Sequence, residues 1–349
     1  MILWKNLGIE LLLGRQVVSL DASSKTITLN SGESFNFDDA IVCSGSSAFN
    51  IPVPGHDFVN VFTLRDPEDA HKIDEISTGK ENVVIIGTGF IGLEAATYFK
   101  QNKKIKNVTC VSLDKLPLDR IVGDRLGAIF KKIHEDAGVV MKLGVHLSRY
   151  EGADGKVSAV VLEEGGERIP ADLVIVGAGV RLNTGFLKNV ALQERERSVL
   201  VDEYLRAESG IYAAGDIARF KNLAFGGETT RIEHWNVAMN QGRVAALNIL
   251  GKKVPFTQTP YFWTVQFGGS IRYVGHAVSF DEVIVDGKPE EDKKFAAYIC
   301  KRGKVLAVCT FGRDPIASAA GELLRENRMP LAEEIRSGKI DILKLVTVG

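Results

Sequence analysis

Gly87, Gly89 and Gly92 stand in the stretch ENVVIIGTGFIGLEAATYF and spell G-x-G-x-x-G. In a strand-to-helix turn of this kind the first glycine permits the tight turn. The second lets backbone approach a pyrophosphate, and the third lets the helix pack closely on the strand. The helix that follows would offer the N–H groups of its first turn, Phe90 and Ile91 among them, and the positive end of its dipole. Alone, the pattern is weak. Here an apolar strand at Val83–Ile86 precedes it, a helix at Phe90–Lys100 follows, and a second strand at Val108–Leu113 completes a β-α-β unit, which is the context a dinucleotide site requires. The second strand reaches Ser112 where NAD sites usually carry an acid for the ribose 2′-hydroxyl. Asp114 follows two residues later, Lys115 is the nearby cation, and no arginine lies close by in this reading. Asp114 therefore favours NAD, with NADP left open.

Other strands end in small residues, as strands do when their backbone meets a ligand. DDAIVCSGS ends at Ser44, Gly45 and Ser46, and VIVGAG places Gly177 and Gly179 after a buried strand. In IYAAGDIA the strand runs into Gly215 and Asp216, the latter a good acceptor for a sugar-like hydroxyl. The elements that would position these residues are legible in outline. Residues 8–45 read as short strands, with Thr26–Leu29 alternating as a half-exposed antiparallel strand does. Asp66 and Pro67 mark a helix start. Asp124–Gly138 is amphipathic and closes on a glycine. Lys156–Gly179 reads as two strands around a Glu-Gly-Gly turn and then a third, buried strand, and His234–Gly251 reads as a helix with a glycine stop. From Pro255 the pattern becomes an antiparallel meander, and residues 316–345 read as helical.

The chain has 349 residues, a formal net charge of -1, 45% hydrophobic and 25% charged residues. That composition suits an ordinary globular chain of two or three domains. Near-zero charge gives no general attraction to nucleic acid. No apolar run approaches the ~18 residues of a membrane span, and residues 1–20, interrupted by Glu10 and Arg15, do not resemble a signal peptide. Cys43, Cys110, Cys300 and Cys309 form no C-x-x-C pair and all sit in apolar, strand-like context. They read as buried free thiols, with no support for a metal site or a redox dithiol.

The ordered set IVCSGS, G-x-G-x-x-G with Glu94, VIVGAGVRLNTGFL, GIYAAGDIA and PYFWT resembles the pyridine nucleotide–disulfide oxidoreductase superfamily of two-dinucleotide-domain flavoproteins. FTLRDPEDAHKI, HWNVAMNQGRVAALNIL, PYFWTVQFGGSIRYVG and FDEVIVDG are similar to the apoptosis-inducing factor-like members, in particular the type with an N-terminal Rieske domain. The resemblance covers essentially the whole chain. It implies an α/β flavoprotein fold in which an NAD Rossmann-like domain (79–197) is inserted in a truncated FAD domain (1–78 and 198–253), followed by an α+β C-terminal domain (254–349). It further implies that the FAD-binding G-x-G-x-x-G, the lysine that pairs with Glu94 and the Rieske ligands lie outside this sequence. By the same resemblance Glu94 sits near the nicotinamide and Gly177 and Gly179 pass its ribose. Asp216 bonds the FAD ribitol, Glu233 and His234 line the flavin–nicotinamide cleft, and Trp263 lies near the isoalloxazine. The implied activity is hydride transfer from NAD(P)H through FAD to a Rieske- or ferredoxin-type iron–sulfur acceptor, in mitochondria or cytoplasm. A non-catalytic NAD(H)-binding protein acting through partners, in cell death signalling for example, is the competing reading.

Overall fold

The computed structural model describes residues 6–221 and 228–346. Residues 1–5, the head of the stretch read against a signal peptide, lie outside the described part. The chain divides into two compact units: Met1–Ser46 with Leu182–Asn222 and Thr229–Phe256, and Ser47–Arg181 with Leu223–Glu228 and Thr257–Gly349.

In the second unit the core is a five-stranded parallel sheet in the order Val61–Thr63, Leu173–Val176, Asn82–Ile86, Asn107–Ser112, Val139–Leu143. Its central strands are continuous apolar runs because both faces are covered. Val83, Ile85 and Leu173 meet Ile73, Ala95, Ala96 and Phe99 on the helical face. Val84, Ile86 and Val174 point the other way, onto Tyr150, Val157, Val160 and Ile169 of an antiparallel three-stranded meander. The covering helices are Pro67–Ser77, Phe90–Gln101 and Asp124–Asp136. Asp66 caps the first by accepting the Asp69 amide, and proline occupies its first turn.

The same unit carries a five-stranded antiparallel sheet, ordered Tyr261–Gln266, Gly269–Gly275, Lys304–Phe311, Phe295–Lys301, Glu282–Gly287. Val274, Ala296, Tyr298 and Val308 pack on the helix Ile316–Arg325. Ile271, Phe295, Ala297 and Cys309 face Leu93, Leu126 and Phe130 instead. The pleat sends alternate residues to opposite faces, so one sheet serves two helical layers.

The first unit is built from short strands. Ala40–Val42 runs parallel to Ile211–Ala213, which pairs antiparallel with Arg206–Glu208. Val17–Asp21, Thr26–Leu29 and Ser34–Asn36 form a meander, extended by Leu187–Lys188. The helix Trp235–Ile249 buries Val237, Gln241, Ala245 and Asn248.

Two expectations are corrected. Residues 8–16 are not a strand: Gly8 and Gly14 turn at φ +69° and +67°, and Leu11, Leu12 and Leu13 remain exposed. A leucine run without alternation has no single face to bury. Cys43 is exposed, while Cys110, Cys300 and Cys309 are buried. Cys43 follows the buried end of its strand, Val42, and the alternation of the pleat turns it outward.

Candidate functional site

The glycine turn is held by contacts that leave no room for side chains at two of its three positions. A Cβ on Gly87 would lie 2.4 Å from the Gly177 carbonyl oxygen, and one on Gly92 would lie 2.2 Å from that of Gly87. Gly87 also has φ +108°, the left-handed region that favours glycine. Its amide donates to Val111 O at 2.7 Å, fastening the turn to the end of the second strand. Gly89 differs, since a Cβ there would meet nothing within 4 Å. Gly89 is the N-cap of the Phe90–Gln101 helix, and no side chain caps that end. Open space above a glycine, beside the uncapped amides of Phe90, Ile91 and Gly92, is what a pyrophosphate needs. The residues present therefore fit a dinucleotide. Gly177 sits on Gly87, and Gly179, at φ +98°, also has open space where its Cβ would be. Phe90 anchors the helix start by an edge-on contact with Phe262, 4.7 Å between ring centroids, while Ile91 is exposed.

Glu94 is exposed on the next turn, beside an apolar cavity of about 300 Å³ lined by Leu64, His71, Tyr98, Phe99 and Ile175. The Tyr98 hydroxyl donates to Asp74, which also pairs with Lys103 at 2.7 Å. Burial and the Asp74 carboxylate push the Tyr98 hydroxyl up to about 12. Trp263 is not brought against this helix. Its neighbour Phe262 faces the helix, and Trp263 is 54% exposed on the opposite side of the strand.

At the second strand's end the structure corrects the sequence reading. Ser112 is buried, and its Oγ accepts the Asp114 amide at 3.2 Å. An arginine does lie nearby: Arg120 places Nη2 2.6 Å from Asp114 Oδ1. The tight turn through Leu118, with φ +58°, folds Arg120 back, and separation along the chain gives no hint of it.

In the first unit, stretches distant in the sequence meet. Asn183 brackets the small residues after the Ala40–Val42 strand: its Nδ2 donates to Ser44 O at 3.1 Å and its amide to Gly45 O at 3.0 Å. Ser46 Oγ donates to Asp216 Oδ2 at 2.7 Å. The Gly215 amide donates to Gln241 Oε1 at 2.8 Å. Arg231 ties several of them together. Its Nη1 donates to Asp216 O at 3.1 Å and to Glu233 Oε1 at 2.7 Å, and its Nε pairs with Glu196 at 3.2 Å. Glu196 also holds Arg219 at 2.7 Å. These carboxylates hold the Arg231 guanidinium above its ordinary range against the opposing effect of burial. His234 is the N-cap residue of the Trp235–Ile249 helix, and burial lowers its pKa. The structure draws Ser44, Gly45, Gly215, Asp216 and Glu233 into this hydrogen-bonded group. Sequence reasoning did not single out Asn183, Arg231 or Gln241, whose contacts depend on partners distant in sequence.

Residues 4–242 match the family described as Pyridine nucleotide-disulphide oxidoreductase, and residues 261–346 match the Reductase C-terminal family. The chain belongs to the pyridine nucleotide-disulphide oxidoreductase family. It is 34% identical over 330 residues to Apoptosis-inducing factor 3 of Homo sapiens, covering 94% of this chain and 54% of that protein. It thus spans about half the length of that curated relative. It is 33% identical to the 5,5'-dehydrodivanillate O-demethylase ferredoxin reductase subunit of Sphingobium sp., covering 87% of this chain and 73% of that one. Among solved structures, the ferredoxin reductase for the CYP199A2 system from Rhodopseudomonas palustris superposes with a TM-score of 0.89 at 27% identity, covering 99% of this chain and 84% of that chain. The putidaredoxin reductase in its covalent complex with putidaredoxin gives 0.88 at 27% identity, covering 98% and 82%. The two-dinucleotide-binding flavoprotein fold with a C-terminal reductase domain is thereby shown.

Proposed function

We propose that this chain is an FAD-dependent NAD(P)H oxidoreductase that passes electrons to an iron–sulfur protein of ferredoxin or Rieske type. The observation that carries the reading is the open space above Gly89 at an uncapped helix N-terminus, in a chain that matches both oxidoreductase families. Gly87, Gly89 and Gly92 would hold the nicotinamide cofactor's pyrophosphate, with Gly177, Gly179 and Glu94 toward its nicotinamide end. Ser44, Gly45, Gly215 and Asp216 would hold the sugar-like part of FAD, with Glu233 and His234 as further contacts. When bound, FAD supplies the means of taking a hydride and releasing electrons singly. The protein's part is to hold and orient both nucleotides. In domain terms, residues 79–197 are the nicotinamide-binding part, 1–78 and 198–253 the flavin part, and 254–349 the interface part. Among the described residues no helix is long and apolar enough to cross a membrane, and the proposed setting is mitochondrial or cytoplasmic.

The test is the visible spectrum of the purified chain after incubation with FAD and desalting, followed by anaerobic addition of NADH or NADPH. A retained flavin band that bleaches on addition is expected. A chain that emerges colourless overturns the flavoenzyme reading. The 34% identity to Apoptosis-inducing factor 3 is the observation that favours a second reading, a non-catalytic NAD(H)-binding protein acting through partners in cell death. Nucleotide binding without flavin retention would select it.

A further inference from the structure

The strand end beside the Gly87–Gly92 turn carries an arginine, Arg120, paired with Asp114. In a dinucleotide unit the ribose 2′ position lies at the end of the second strand, where an acid selects a hydroxyl and a nearby arginine accommodates a phosphate. Here the Gly87 amide bonded to Val111 O fixes the pyrophosphate turn beside that strand end. The residue after Val111 is Ser112, a small hydroxyl in place of a carboxylate. Of the two acids in this loop, Asp114 is already engaged by Arg120 at 2.6 Å. The Arg120 side chain is 79% exposed, so its remaining donors face solvent. Lys115, also exposed, adds a second positive charge to the same loop. The loop's shape is fixed from beneath: Leu118 and Val122, both buried, root the short helix Asp119–Val122 among Leu126 and Phe130. Asp119 Oδ2 accepts the Leu116 amide at 3.2 Å.

We propose that Arg120, with Ser112 beside it, makes this site a receiver of 2′-phosphorylated dinucleotide, so that NADP(H) binds at least as tightly as NAD(H). The inference rests on the dinucleotide reading of Gly87–Gly92 and goes beyond it in choosing the cofactor. A carboxylate at the strand end would repel a 2′-phosphate. A serine accepts its approach, and a guanidinium bonds it with charge assistance.

The test is calorimetric titration of the purified chain with NADPH and with NADH, which requires no bound flavin. Wild type should bind NADPH with equal or greater affinity. Arg120→Gln should weaken NADPH by about tenfold, the worth of one charge-assisted hydrogen bond, and leave NADH within about twofold. Ser112→Glu should reverse the preference. Asp114→Asn, which releases Arg120, should preserve or raise NADPH affinity, and melting curves confirm that each variant folds. Tenfold tighter binding of NADH by wild type, or equal loss of both ligands in Arg120→Gln, overturns the inference and leaves the dinucleotide reading standing. If neither nucleotide binds, the dinucleotide reading and the inference fall together.

Discussion

A methyl group at Gly89 and one at Gly92 should have opposite consequences. At Gly92 the new Cβ would press on the backbone oxygen of Gly87 at 2.2 Å. Backbone cannot yield as a flexible side chain can, so Gly92→Ala should cost about 1–3 kcal/mol and lower the melting temperature by several degrees. At Gly89 the Cβ would meet nothing, and φ is an ordinary -72°. Gly89→Ala should melt like wild type yet bind NADH at least about tenfold more weakly, because the methyl fills the space left for phosphate. Calorimetry and a melting curve on each variant read both effects. Unchanged nucleotide affinity in Gly89→Ala would remove the pyrophosphate from this turn. The three glycines were legible because their stereochemistry is local. Arg120 was not, because it reaches Asp114 only through the turn at Leu118.

The first unit's site depends on ties between elements. Arg231 links the turn after Ile211–Ala213, through Asp216 O, to the segment entering the Trp235–Ile249 helix, through Glu233. Its side chain is only 16% exposed, and Glu196 holds its other edge. Removing it leaves Glu196 and Glu233 short of a partner in a half-buried place. Arg231→Gln should therefore cost about 1–3 kcal/mol, below the loss for a fully buried pair, measured by urea denaturation. Arg231→Lys should recover only part of this, since an ammonium cannot reproduce the guanidinium's fork. Full stability in both variants would show that the tie contributes nothing. Individual strands and helices were legible from their periods, including the Asp66 cap and the Phe90 start. The leucine run at 11–13 misled because hydrophobicity without alternation does not choose a face.

For the whole molecule, pH tests the burial that tertiary packing imposes. His134 is fully buried. Its Nδ1 lies 2.9 Å from Phe130 O, and its Nε2 lies 3.5 Å from Leu93 O. Burial lowers its pKa, outweighing these hydrogen bonds. The unfolded chain binds this proton near the ordinary value of about 6.5, and the folded chain only at lower pH. Stability from His134 is thus complete above about pH 6.5 and is lost as pH falls toward the folded value. Melting temperatures between about pH 7.5 and 5 should decline more steeply for wild type than for His134→Gln. Parallel slopes would show that His134 does not titrate on unfolding. The comparison isolates His134 from His234 and His276, which burial shifts in the same direction.

By itself the sequence determined the β-α-β unit around Gly87–Gly92, the buried parallel strands and the C-terminal antiparallel meander. Those depend on glycine stereochemistry and on periods of two and 3.6 carried by contiguous residues. The tertiary structure decided that Arg120 occupies Asp114, that Arg231 joins Asp216 to Glu233, that Trp263 faces away from the Phe90–Gln101 helix, and that Cys43 is exposed. Each depends on where a turn or a neighbouring strand places a side chain, which no local pattern encodes.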